Sequence, residues 1–128
     1  MILDSNILIY SVDPAHDYLL DYLENPPVPH SISLISKLEV LGFYRLKAED
    51  KVKLDRLLAS ISELPITNQI ITEAIRLRQQ RKRSLGDSII AATALIYNLP
   101  VLTNNTADFF GCGRHRGDCV GFDTSQLN

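Results

Sequence analysis

The sequence has no tryptophan, one methionine and only two cysteines among its 128 residues. So few cysteines exclude a disulfide-stapled scaffold. It also lacks a membrane span. Its longest weakly polar stretch, 88–106, is interrupted by Asn98 and Pro100, where about 20 uninterrupted apolar residues are needed. No basic leader stands at the start: the first apolar run, Met1 to Leu3, ends at Asp4. The expectation is a cytoplasmic protein without a signal peptide. Nor does charge of one sign dominate, since 13 Lys and Arg against 15 Asp and Glu leave a net charge of −2. That balance does not describe a generic nucleic-acid binder. Apolar residues at 45% and charged residues at 22% exclude disorder. The length fits one domain over 1–128.

The charges are unevenly spread. Residues 76–83 hold Arg76, Arg78, Arg81, Lys82 and Arg83 with no acid among them, so the remainder of the chain carries −7. The result is a mildly acidic body with one short basic patch.

Along the chain, Met1 to Asp4 reads as a strand running into a helix that continues to Val12. Asp13-Pro14 is a turn. Tyr18, Leu19, Tyr22 and Leu23 stand at helical spacing. Pro26, Pro27 and Pro29 stiffen a loop before a second strand at 30–35, which runs into a helix through Leu46. A helix over 49–62, a third strand at 64–66 and a helix capped by Asn68 and ending in the basic run follow. Ser84 opens a helix that is apolar on nearly every side, hence buried. Pro100 breaks it, and 101–103 is a fourth strand. Residues 105–110 read as one helical turn. The tail 111–128 holds four glycines and no clear period, with a last strand at 119–122. Strands alternating with helices predict a three-layer α/β/α sandwich around a mostly parallel sheet of four or five strands. In such sheets, sites gather beyond the carboxyl ends of the strands, where strand order reverses.

Four acids fall where that rule puts a site. Asp4 ends the first strand. Glu39 lies in the first turns of the helix after the second. Asp87 is in the first turn of the buried helix, and Asp108 in the turn after the fourth strand. Ser36-x-x-Glu39, Ser84-x-x-Asp87 and Asn105-x-x-Asp108 also read as capping boxes. Against that, Asp87 shares a helix face with Ile90, Ala91 and Ala94, and Glu39 shares one with Phe43 and Leu46. A carboxylate buried there without a partner is costly, and no buried cation is evident in the sequence to match it. Two carboxylates 4 Å apart repel by about 4 kcal/mol at an effective dielectric near 20. A divalent ion resolves this, and all-oxygen ligands suit Mg²⁺ or Mn²⁺ rather than zinc. Such sites commonly hydrolyse phosphodiesters.

Four segments, MILDSNILIY, SLISKLEVLG, LGDSIIAATAL and VLTNNTADF, stand in an order and spacing that resembles the PIN-domain ribonucleases, specifically the VapC-type toxins of bacterial toxin–antitoxin pairs. The likeness covers 1 to about 110. It implies an α/β/α sandwich and a Mg²⁺- or Mn²⁺-dependent endoribonuclease. It implies an acidic site of Asp4, Glu39, Asp87 and Asp108, supported by the polar residues Asn6, Thr103 and Asn105. It also implies an RNA substrate, a homodimer and an antitoxin that blocks the site. The glycine-rich tail 111–128 departs from the family pattern, which makes Asp108 the least firmly matched acid.

Other features divide between roles. The basic run, Arg76 to Arg83, is either a solvated helix end or a contact for RNA phosphates beside the acids. Cys112, His115 and Cys119 lack the paired spacing of a structural zinc site. Tyrosines at helical spacing with leucines read as core or dimer surface. His16, His30 and His115 are scattered, which argues against a histidine general base. The alternative to a nuclease is a catalytically inactive PIN-like module that binds RNA or a protein partner. A dehalogenase-type phosphotransferase would want an acid where Asn6 stands. A receiver domain would want a lysine near 103–105, where Thr103-Asn104-Asn105 stands.

Overall fold

A computed structural model describes residues 1–103 and the strand at 121–122. The helical turn expected at 105–110, the tail cysteines, His115, Asn105 and Asp108 lie outside the described residues.

Five strands form one sheet: β1 (Ile2–Leu3), β2 (Ser31–Ser33), β3 (Ser62–Leu64), β4 (Val101–Leu102) and β5 (Gly121–Phe122). Their order is β3-β2-β1-β4-β5, and every pairing is parallel. The chain runs outward from β1 through β2 to β3, then returns past β1 to β4. The reversal therefore falls between β1 and β4, which pair in the register Ile2↔Val101 and Leu3↔Leu102.

Six helices surround this sheet: α1 (Ser5–Ser11), α2 (Asp17–Glu24), α3 (Leu34–Leu41), α4 (Ala48–Ala59), α5 (Asn68–Gln80) and α6 (Leu85–Tyr97), with a 3-10 turn at Pro14–His16 before α2. Strand side chains alternate between faces, so each short strand feeds two cores. Ile2 and Val101 join Ile70, Ala74 and Leu77 of α5 and the apolar residues of α6. Leu3 and Leu102 join Ile7 and Leu8 of α1, Leu19 and Leu23 of α2, Val40 of α3 and Leu54 and Leu57 of α4. The result is the α/β/α arrangement expected from the alternation of elements. Helix α6 is buried from Gly86 through Ala94 except for Asp87. It ends at Asn98, whose left-handed backbone (φ 53°) closes the C-terminus, a conformation asparagine tolerates better than most residues.

Several boundaries differ from the sequence reading. The third strand is at Ser62–Leu64, two residues earlier than expected, because pairing with β2 (Ser31↔Ser62) sets the register rather than the apolar pair Leu64 and Ile66. The cap of α5 is Thr67, whose hydroxyl accepts from the Ile70 amide at 3.2 Å, and not Asn68. Helix α5 ends at Gln80, so Arg81 to Arg83 lie beyond it. Helix α3 begins earlier than a Ser36 cap requires: Ser33 caps it by accepting from the Ile35 amide. Glu39 therefore stands in the second turn and is not half of a capping box. No helix among the described residues is long and apolar enough to cross a membrane.

Candidate active site

The junctions that follow β1 and β4 meet at the reversal of strand order. Asp4 directly follows β1 and Thr103 directly follows β4, and both are buried. Thr103 Oγ1 donates to Asp4 Oδ2 at 2.8 Å. Burial raises the Asp4 pKa. The Thr103 hydroxyl and the Ser5 and Asn6 amides act against this rise, and the nearby charge of Glu39 adds to it. Asp4 remains above the usual carboxylate value. A buried carboxylate facing a second carboxylate is the electrostatic problem that a cation solves.

Glu39 approaches from α3. Its Oε1 accepts a 2.7 Å hydrogen bond from the hydroxyl of Ser5, the residue after Asp4. Ser5 Oγ also lies 3.1 Å from the hydroxyl of Ser36, one turn before Glu39 and fully buried. On another side, the Glu39 carboxylate lies against Gly86, next to Asp87. Asp87 sits in the first turn of α6, where its amide donates to the Ser84 hydroxyl at 3.1 Å. That is the forward half of the capping box read from Ser84-x-x-Asp87.

The structure thus links Asp4 to Glu39 through Ser5 and brings Glu39 to the turn that carries Asp87. Burial differs from the sequence reading. Glu39, expected on an apolar face, is exposed, and Asp87 is half-buried. The buried acid is Asp4, because the junction after a central strand is covered on both sides. Asn6 is exposed in the first turn of α1. Among the described residues, no three His, Cys, Asp or Glu side chains stand close enough to form a metal-holding group. The fit to a metal therefore rests on donor chemistry and on the burial of Asp4. Carboxylate oxygens suit a hard ion that retains several waters and needs few direct protein ligands.

The basic run divides. Arg83 is buried, and its Nη1 donates to the Leu77 carbonyl, so the fold does contain the buried cation the sequence did not reveal. Arg76 Nε donates at 2.9 Å to Glu73 Oε1, an acid that is itself buried. Arg78, Arg81 and Lys82 are exposed. A cavity of about 370 Å³ opens elsewhere, lined by Ile9 and Val12 of α1, Phe43, Leu46 and Leu54, with Lys53 at its edge; none of the four acids lines it.

Ser5, Ser36 and Gly86 are the site residues the sequence reading did not assign. Ser5 had been weighed only as a nucleophile, and in the fold it positions Glu39. Its place directly after Asp4 was the available signal. Nothing in the local pattern marks Gly86, because its partner lies 47 residues earlier.

A family model described as PIN domain matches residues 1–110. Among curated proteins, the chain is 32% identical over 117 residues to Ribonuclease VapC10 of Mycobacterium tuberculosis, covering 85% of each. Among solved structures, it resembles a toxin–antitoxin complex from Klebsiella pneumoniae at 33% identity and a TM-score of 0.72, covering 86% of this chain and 90% of the other. VapBC2 from Rickettsia felis, bound to a DNA fragment from its promoter, shares the fold at a TM-score of 0.74 and 20% identity, covering 95% and 96%.

Proposed function

The chain belongs to the PIN-domain family, and from that premise we propose that it is a Mg²⁺- or Mn²⁺-dependent endoribonuclease, the toxin of a type II toxin–antitoxin pair. The observation that carries this reading is the pairing at the sheet's reversal point. A buried, hydrogen-bonded Asp4 lies in the field of Glu39, and Glu39 in turn lies against the first turn of α6, beside Asp87.

In this reading Asp4, Glu39 and Asp87 hold the ion, partly through waters, with Asp108 as a fourth ligand. A bound Mg²⁺ supplies Lewis acidity toward the phosphodiester and the attacking water. The protein's own residues fix the ligands. Thr103 holds one oxygen of Asp4 and so sets the plane of its carboxyl. Ser5 holds one oxygen of Glu39. Asn6 and Asn105 are polar supports at the rim. Arg78, Arg81 and Lys82 hold the RNA backbone through its phosphates, while Arg76 and Arg83 brace the end of α5 from inside.

The names of the similar proteins support the partner reading. We take this chain to be a single cytoplasmic domain inhibited by an antitoxin. Leu38 is 68% exposed and Leu85 is 60% exposed, and they flank the Glu39–Gly86 contact. Exposed leucines at such a position support a homodimer, with this face covered by a second copy.

The test is cleavage of a mixed RNA pool with Mg²⁺ or Mn²⁺ and with EDTA, running Asp4→Asn beside the wild type. Cleavage that needs both the metal and Asp4 supports the nuclease. Cleavage that persists in EDTA, or in Asp4→Asn at the wild-type rate, refutes it. Folded wild type that binds RNA without cutting any of the pool favours the inactive binding module.

A further inference from the structure

Helix α6 carries a glycine, Gly86, in its first turn. Glycine is disfavoured in a helix relative to alanine because it loses more backbone freedom on folding. The usual excuse is absent here, since Gly86 has ordinary helical backbone and no left-handed φ. The reason for the missing side chain must be spatial.

A Cβ placed on Gly86 would lie 2.5 Å from Oε2, 2.6 Å from Oε1 and 2.7 Å from Cδ of Glu39. These three nearest atoms all belong to one carboxylate. Ser5 holds the same group from α1 through a 2.7 Å hydrogen bond to Oε1. The carboxylate is thus seated between α1 and α6 while its own backbone is on α3. Glu39 is exposed and flexible at its far end, so an added methyl would displace it at little cost to the fold. The bare Cα of Gly86 is therefore not needed for packing. It is needed for where the carboxylate stands.

We infer that Gly86 is a positioning residue: by lacking a side chain it lets the Glu39 carboxylate lie against the first turn of α6, beside Asp87, held there by Ser5. The partial positive charge at the start of a helix favours an anion in that place. This inference rests on the reading of Glu39 as a metal ligand, and it adds a determinant of the geometry of that site.

The test compares wild type, Gly86→Ala, Glu39→Gln and the double variant. Mn²⁺ affinity is measured by calorimetric titration, apo stability by thermal unfolding, and RNA cleavage in parallel. Gly86→Ala is expected to unfold at or above the wild-type temperature, because alanine favours the helix. It should weaken Mn²⁺ binding about tenfold or more. In the Glu39→Gln background the same methyl should weaken binding no further, since it acts only through the carboxylate. Wild-type Mn²⁺ affinity in Gly86→Ala overturns the inference. So does an equal loss in both backgrounds, or a clear drop in apo stability, which would make Gly86 a packing residue. Failure of the metal reading itself looks different: the wild type would then bind no Mn²⁺.

Discussion

The Thr103 hydroxyl donates a 2.8 Å hydrogen bond to Asp4 Oδ2 across 99 positions of chain. The bond joins the ends of two adjacent parallel strands at the point where strand order reverses, and it stabilises the ionised form of a buried acid. Thr103→Val keeps the shape and removes the donor. The Asp4 pKa should then rise further, and the acid limb of the pH–rate profile of RNA cleavage should move to higher pH. A profile that falls in amplitude with its acid limb unmoved would show that Thr103 does not tune Asp4.

Asp4 also imposes a cost on the metal-free fold. Its pKa is raised above the model value of 3.8, chiefly by burial. The folded state therefore favours the protonated acid, and stability is lost as pH rises from about 3.8 through the folded pKa. At pH 7 that cost is fully present. Asp4→Asn should raise the apo unfolding temperature by roughly a few degrees, while Mn²⁺ should stabilise the wild type and not the variant. A less stable Asp4→Asn in EDTA would contradict the electrostatic account.

His30 gives a pH dependence of the opposite sign. It precedes β2, at the sheet edge away from the acids, and is 5% exposed beside the Tyr22 ring. Neither ring nitrogen has a hydrogen-bond partner among the described residues. Burial, helped by the Met1 ammonium, lowers its pKa from 6.5 to about 4. Below pH 6.5 the unfolded chain takes up the proton first, so stability falls until about pH 4. The loss at pH 5 should be on the order of 2 kcal/mol. Urea midpoints at pH 7 and pH 5 measure it, and His30→Phe should flatten the difference.

The basic run makes a prediction about salt. Arg78 and Lys82 are exposed near the end of α5, a few residues before Asp87. Replacing both with Gln should weaken binding to single-stranded RNA and reduce the slope of log K against log salt by about 1, near 0.7 per phosphate contact. An unchanged slope would place the RNA backbone elsewhere.

The architecture was legible because the signals were local and repeated. Short apolar runs before capped amphipathic segments fix a parallel α/β sandwich, and Asp4 falls where the first run ends. Ser84 as cap and Asn98 as the end of α6 were readable for the same reason. The third strand was misplaced because its register comes from β2 and not from its own apolar residues. The burial of Glu39 was misjudged because helical periodicity gives a face but not what covers it. Arg83 was read as surface because its partner, the Leu77 carbonyl, is a backbone group with no sequence signature. Gly86 carried no local mark, because its meaning lies in a side chain on another helix.

The most direct measurement is Mn²⁺ binding to the metal-free protein by calorimetric titration, for wild type, Asp4→Asn and Glu39→Gln. The account predicts saturable binding by the wild type and at least tenfold weaker binding by each variant. Binding by both variants as tight as wild type would contradict it, because the ion would then be held by residues other than the acids that meet at the reversal of the sheet.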